Sequence, residues 1–464
     1  VRRFKKVIAY ILIFYIAEFV LTIKPVKNTG NDVVNPIAEV NVINIKNSDR
    51  ILIFAPHPDD AVLSSSGIIQ YAIKSGAEVK IVYITTGSHN TTTMVRDSAI
   101  HTVTPISGIL LAKERHREAL CSAKTLGLSE NTLVFLGFPD FGTLKIWTDC
   151  FENKPYFSGL LMSDKTFFPF SYKKGIEFTG KNELTLIEKI IETFKPTIVI
   201  YPPETDLNPD HRATGLFVDA ALFDLRNSIN PERFRYFMHA QDWPTPLKYA
   251  PHDYITKPEY IRNLNGKWFT YYLTLKEEEI KKKAILCHKS QVKSAPNFML
   301  SFVRRNEIFL NEEEKINSFM PLWTDREMEK IRVSPSISSV YIGEDKNNVI
   351  YKITLKKGFE TFTKLYVFIY PEIKTEKFYD SPKYRVVITR GLTHRLKITL
   401  IKNGKAIKVS KENLSAKGSE LLLELDINKK YFENCKAFFT AIQVEQVNLR
   451  VSESPWWNVE IFKN

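Results

Sequence analysis

The chain has 464 residues, 44% hydrophobic, 25% charged and 12% aromatic. At roughly 150 residues per domain it is long enough for two or three domains with real cores, and the composition excludes a disordered, collagenous or acidic-tail protein. The 65 basic and 52 acidic residues leave a net charge of +13, but lysines are spread through nearly every segment, so a solvated basic surface is favoured and no specific nucleic-acid partner is expected.

Arg2, Arg3, Lys5 and Lys6 precede an apolar run from Val7 to Ile23 that only Glu18 interrupts. A basic flank followed by about 17 apolar residues, near the short limit for spanning a bilayer, is the layout of a signal peptide or signal-anchor over residues 1–24. It predicts membrane association through this segment and an extracytoplasmic location, membrane-anchored or secreted, for the rest. Residues 25–47 read as a linker running into a first strand.

Strand and helix patterns then alternate: ILIFAP (51–56), LSSSGIIQYAIKSG (63–76), EVKIVYITT (78–86), KERHREALCSAKTLG (113–127), TLVFLGF (132–138), ELTLIEKIIETFK (183–195), TIVIYPP (197–203) and HRATGLFVDAALFDLR (211–226). The spacing predicts an α/β domain over 48–325, a Rossmann-like, mostly parallel sheet with helices on both faces. Residues 141–182 interrupt the rhythm as an insertion over one rim. A charged helix is expected from residue 275 and another over 301–318. Past residue 330, eight alternating β-type runs with no helix between them predict a C-terminal β-sandwich module over 330–464. Cys121, Cys150, Cys287 and Cys435 are scattered without metal-ligand spacing and are expected to be free buried thiols.

In open α/β sheets, chemistry gathers at the carboxyl ends of strands. ILIFAP delivers His57, Pro58, Asp59 and Asp60 there. Burying two acids beside an imidazole is costly unless they find partners, and a divalent metal is one. His57 and Asp60 could turn towards one ion while Asp59 takes a proton from a water; the alternative is a solvated turn in which Asp60 caps the next helix. A second cluster, ETDLNPDH (204–211), ends another strand. In it His211 is the best third ligand, and Asp210 could hydrogen-bond an imidazole and fix its tautomer. Two histidines and an aspartate leave an open coordination position, as hydrolysis needs.

With PHPDD after a first strand and NPDH near residue 210, the chain resembles the PIG-L/LmbE family of metal-dependent de-N-acetylases. YITTG (83–87), KERHREALCSAKTLG, VFLGFPD (134–140), MHAQDWPTP (238–246), KKKAILCHKSQ (281–291) and SFVRRNEIF (301–309) resemble further family segments in order, so the likeness covers residues 48–312. It implies an enzyme dependent on zinc or another divalent transition metal that removes an N-acetyl group from a glucosamine-type sugar in a glycan, glycolipid or small conjugate; the alternatives are hydrolysis of another amide on the same scaffold and a carbohydrate-binding protein that has lost its activity. His57, Asp60 and His211 match the metal ligands and Asp59 the general base, while Arg115 falls near the arginine that holds substrate. Two positions depart from the family pattern. Ala61 replaces a glutamate, removing support around the ligands. Asn208 replaces a histidine that assists the oxyanion or the leaving group, and asparagine donates a hydrogen bond but transfers no proton. His239 is the candidate to face substrate in its place. The serines Ser64, Ser65 and Ser66 lack a nucleophile-elbow context and read as packing.

Overall fold

The computed structural model describes residues 41–460 apart from 98–101, 153, 241, 259–265, 312–315, 318–319, 325–336, 357, 360–362, 391–394, 420 and 447–448. The expected signal segment and most of the linker lie outside the described residues. No helix among the described residues is long and apolar enough to cross a membrane.

Eight strands form the first sheet: β1 (Asn41–Val42), β2 (Arg50–Ala55), β3 (Glu78–Thr85), β4 (Leu133–Phe138), β5 (Ile198–Tyr201), β6 (Glu232–Arg235), β7 (Lys267–Tyr272) and β8 (Asn306–Asn311). Their order across the sheet is β1-β7-β8-β6-β5-β2-β3-β4. The run β6-β5-β2-β3-β4 is parallel, with Ile53 level with Ile81 on one side and Ile200 on the other. Only β8 runs against its neighbours. Strands buried on both faces read as continuous apolar runs, and in β2 every residue after Arg50 is buried.

The helices are α1 (Asp60–Ser75), α2 (Thr91–Asp97), α3 (Pro105–Thr125), α4 (Thr143–Asp149), α5 (Gly180–Phe194), α6 (Pro209–Asp224), α7 (Leu275–Leu286), α8 (Lys289–Ser294) and α9 (Pro296–Ser301). Helix α7 packs against both α1 and α3 on one face, and α4, α5 and α6 pack together on the other. This is a mixed α/β body with a mostly parallel sheet flanked by helices.

Two expectations for this body need correction. Residues 301–318 were expected to be helical, but Asn306–Asn311 form β8, paired along its length with β7. A buried strand and a buried helix segment of six residues look alike in periodicity. The cysteines are not all free: Cys121 and Cys287 form a disulfide between α3 and the end of α7, with Cα atoms 5.8 Å apart, while Cys150 and Cys435 are free and buried. The partners are 166 residues apart, so no local spacing announces them.

The C-terminal part is two antiparallel sheets. Its strands are β9 (Ile316–Asn317), β10 (Met320–Thr324), β11 (Ile337–Glu344), β12 (Asn348–Leu355), β13 (Thr363–Ile373), β14 (Tyr384–Arg390), β15 (Leu396–Lys402), β16 (Lys405–Ile407), β17 (Leu414–Gly418), β18 (Leu422–Asn428), β19 (Cys435–Gln446), β20 (Leu449–Glu453) and β21 (Trp457–Glu460). One sheet is ordered β10-β11-β12-β18-β17 and the other β16-β15-β14-β13-β19-β21-β9, with β20 against β19; the short β21–β9 pair is the parallel exception. Tyr351, Ile353 and Leu425 of the first sheet and Val367, Ile442 and Val444 of the second share one core. Strands β9 and β10 pair with these sheets, β9 with β21 and β10 with β11. A second face of the C-terminal part joins the core of the body: Trp147 of α4 packs against Tyr370, Phe378, Phe439 and Trp456, with ring centroids 5.4 to 5.9 Å away.

Candidate metal centre and active site

The five parallel strands bring their carboxyl ends together at one rim. From β2 come His57, Asp59 and Asp60; from β3, His89; from β4, Asp140; from β5, Asp206, Asn208, Asp210 and His211; from β6, His239. The chain runs outward from β2 through β3 to β4 and then returns to the other side through β5. Helices leaving β2 and β5 therefore diverge, and a crevice opens between them. That topology brings two sequence clusters 150 residues apart into contact.

Asp60 Oδ2 lies 3.1 Å from His57 Nδ1 and 3.1 Å from His211 Nε2, and those two nitrogens are 3.3 Å apart. Four ligands held tetrahedrally at zinc bond lengths stand about 3.3 Å from one another. The three donor atoms thus form one face of such a polyhedron. The second nitrogen of each ring meets a carboxylate: His57 Nε2 is 3.3 Å from Asp140 Oδ1 and 3.4 Å from Asp210 Oδ2, and His211 Nδ1 is 3.5 Å from Asp206 Oδ2. Imidazole ligands are commonly oriented through such carboxylates. Those carboxylates are themselves fixed. Asp210 accepts from Phe141 N (2.6 Å) and Thr143 Oγ1 (2.5 Å), and Asp206 accepts from Asn208 N (2.8 Å) and His239 N (3.1 Å). The donor set and its surroundings fit a divalent transition metal.

Electrostatics agree. Burial opposes charge on both imidazoles, yet Asp140, Asp60 and Asp210 outweigh it and hold His57 well above its usual range. His211 is raised to about 9 against the same burial, by Asp60 and Asp206. Asp60 is held well below the carboxylate range by His211 and His57 although burial pushes the other way. The pocket is built to hold positive charge among carboxylates, and a dication competes for the same place.

The helix-cap alternative for the first cluster is not followed. Asp59 occupies the N-cap position of α1 but makes no capping hydrogen bond, and Asp60 Oδ2 turns back to accept from His57 N at 2.7 Å. Asp59 Oδ1 instead accepts from Arg115 Nη2 at 2.6 Å, and Arg115 Nη1 donates to Gly87 O at 3.1 Å. Gly87 has φ +62, and a Cβ there would lie 2.6 to 2.8 Å from the Arg115 guanidinium. The glycine of YITTG is the space through which Arg115 reaches Asp59.

A cavity of about 200 Å³ opens over these groups, lined by His57, Asp59, Asp60, Arg115, Asn208 and His239 together with Asn90, Phe141, Gln291 and Phe298. Asn208 caps α6 with its Oδ1, accepting from Asp210 N at 2.8 Å, so its amide nitrogen is the group left to meet a ligand. A ring nitrogen of His239 lies within 4.8 Å of the His57, Asp60 and His211 donors. Its ring stands edge-on to His211 and stacks on Phe298, and burial lowers its pKa to about 4. Asp210 is fully buried behind His57 and does not line the cavity.

Asp140, Asp206 and Asn90 have no role in the sequence reading, whereas the loop beside His89 reads there as able to line a pocket, and His89 does line the cavity. Asp140 had a usable signal, since it ends TLVFLGF as His57 ends ILIFAP. His116 of α3 stacks on Phe170 with centroids 4.1 Å apart.

Residues 52–222 match the profile of the PIG-L family, GlcNAc-PI de-N-acetylase. No curated protein matches the chain significantly. Among solved structures, the deacetylase of the antimicrobial A40926 pseudoaglycone is 18% identical with a TM-score of 0.36, over 57% of this chain and 96% of that one. N,N'-diacetylchitobiose deacetylase from Pyrococcus horikoshii is 20% identical with a TM-score of 0.35, over 56% and 83%. The zinc-inhibited form of teicoplanin deacetylase is 17% identical with a TM-score of 0.35, over 56% and 97%.

Proposed function

We propose that this chain, whose residues 52–222 form a PIG-L domain, is a zinc-dependent hydrolase that removes an N-acetyl group from a glucosamine-type sugar in a glycan, glycolipid or small conjugate. The observation that carries the reading is the triangle of His57, Asp60 and His211 donors facing a cavity beside the Asp59–Arg115 pair. Two imidazole nitrogens and one carboxylate oxygen suit zinc, which when bound polarises an amide carbonyl and lowers the pKa of the attacking water.

The residues divide the remaining work. Asp59, held in place by the guanidinium beside it, takes the proton of the attacking water and returns it to the leaving amine. Arg115 holds Asp59 in place and adds positive charge to the wall that meets the sugar. The Asn208 amide and His239 donate to the carbonyl oxygen as charge builds on it. Asp210 works through His57, whose ring it orients with Asp140.

The two C-terminal sheets are read as a β-sandwich accessory module that packs against the body. An extracytoplasmic site for the enzyme, tethered or secreted by its N-terminal apolar segment, is supported by the Cys121–Cys287 disulfide, a bond of oxidising compartments.

The test is elemental analysis of the purified chain together with acetate release from N-acetylglucosamine conjugates. We expect about one zinc per chain as in other three-ligand hydrolytic sites, and its loss in His211→Ala. Asp59→Asn should keep the zinc and lose on the order of 10²–10⁴ in kcat. Zinc-loaded protein that releases no acetate from any such conjugate would sink the deacetylase reading. Failure to bind any divalent metal would sink the hydrolytic mechanism as well.

A further inference from the structure

One wall of the cavity comes from a short stretch that begins just after Cys287. Gln291, Ala295, Phe298 and Met299 all line the cavity, and all belong to α8, α9 or the junction between them. Helices this short, of six residues each, have little stability of their own and take their position from what they are fastened to.

The fastening is specific. Cys287 closes α7, and its sulfur is bonded to Cys121 of α3. Three residues before Cys121 on α3 is Glu118, and three before that is Arg115, which holds Asp59. Glu118 is buried and accepts both the backbone N–H of Ser290 (2.6 Å) and the Ser290 hydroxyl (2.7 Å). Gln291 Nε2 donates to Ser290 Oγ at 2.9 Å, and Gln291 Oε1 accepts from Asn90 Nδ2 at 2.7 Å. Asn90 also lines the cavity. A covalent bond, a carboxylate clamp and an amide pair therefore run in series from α3 to two cavity-lining side chains.

We propose that the Cys121–Cys287 disulfide and Glu118 are positioning groups that hold the α8–α9 wall against substrate, so that substrate affinity depends on the oxidation state of this bond. The inference rests on the cavity being the substrate site. Cys121 is exposed and Cys287 half-buried, so a small dithiol reaches the bond. One thiolate of the reductant attacks a cysteine sulfur and its second thiol resolves the mixed disulfide. Two electrons and two protons pass to the protein, leaving Cys121 and Cys287 as thiols and the reductant as a disulfide. The metal donors lie just past β2 and in the first turns of α1 and α6, outside the fastened segment, and are not touched by the step.

The experiment uses the full, zinc-loaded chain, oxidised or treated with dithiothreitol, beside a Cys121→Ser/Cys287→Ser variant and Glu118→Gln. Amide hydrogen exchange is followed by mass spectrometry, with zinc content and N-acetylglucosamine conjugate kinetics in parallel. Breaking the bond should speed exchange in residues 288–301 and 88–94 by about tenfold while β2 and β5 stay protected. It should raise KM by about tenfold with kcat within twofold and zinc unchanged. Glu118→Gln should move KM in the same direction with the disulfide intact. Unchanged exchange across 288–301, or faster exchange spread equally over β2 and β5, overturns the proposal and leaves the bond a general staple. The exchange readout needs no turnover, so it decides the wall even where the deacetylase reading fails.

Discussion

At the scale of single residues, the site is decided by what faces the far nitrogen of each imidazole. His57 Nε2 has Asp140 and Asp210 in front of it and His211 Nδ1 has Asp206 at 3.5 Å, and carboxylates so placed turn the other nitrogen of each ring toward the donor triangle. Asp140 carries the larger share at His57: its Oδ1 faces Nε2 at 3.3 Å while its Oδ2 accepts from His89 N at 2.8 Å. Asp140→Asn keeps the shape and removes the charge. It should weaken zinc retention 10–100-fold, the usual effect of losing a carboxylate behind a histidine ligand, as read by competition with a chromogenic chelator. A variant that holds zinc as tightly as the parent would remove Asp140 from the site. The ligands themselves were legible in the sequence because a histidine and two acids at the end of a buried strand have few other uses. Asp140 was harder to read: it follows a strand as His57 does, but a lone aspartate after a proline is also ordinary turn chemistry. Asn90 and Gln291 were less legible still: their place depends on a disulfide and a buried carboxylate contributed by other elements.

At the scale of elements, the contact between helices and C-terminal sheets is titratable. Asp224 at the end of α6 and Glu188 of α5 meet the turn between β13 and β14, where Phe378 N donates to Asp224 Oδ1 at 2.6 Å and Lys377 Nζ reaches Glu188 at 3.1 Å. Burial first, and then the hydrogen bond with Glu188, raise Asp224 to about 8. A carboxyl raised in the folded state binds a proton there that the unfolded chain has released, so the stability it contributes is full below about pH 4 and is lost as pH rises towards 8. Asp224→Asn is neutral throughout. The melting temperature of the variant should therefore gain on that of the parent between about pH 4 and 8, measured by calorimetry in one buffer series. A difference that stays flat with pH would place no proton on this pair. Lys383, pushed down to about 7 by burial, adds the opposite slope above pH 7, so the acid side is the diagnostic one. The elements around this contact were easy to read: alternating runs such as NVIYKITL and YRVVITR leave one face for a core. The β8 segment failed because SFVRRNEIFLN is apolar at both helical and strand spacing, and only its partner β7 settles the choice.

At the scale of the molecule, the C-terminal part is no appendage. Trp147 is fully buried and takes part of its surroundings from the body, Phe151 and Phe217, and part from the C-terminal strands and turns, Phe378, Phe439 and Trp456. Arg385 of β14 adds a hydrogen bond to Asp149 at 2.7 Å, at the end of the same helix. A tryptophan shared in this way couples the two halves, because neither can lose its fold without exposing the other's aromatic face. The sequence showed both halves but not their union, since an aromatic on a short helix looks the same whichever partner covers it. The expected consequence is a single calorimetric transition for the intact chain. Trp147→Ala should lower the stability of that transition by about 3–5 kcal/mol, as for other buried aromatic truncations. Its C-terminal neighbours Phe439 and Trp456 sit across the junction, so Phe439→Leu should destabilise the same transition and not a separate one. Two transitions in the parent, with Phe439→Leu moving only one of them, would show halves that melt independently. The catalytic rim would then owe its geometry to the α/β body alone. One transition means that α4, and through Thr143 the Asp210 carboxylate behind His57, is braced from the far side by the β module.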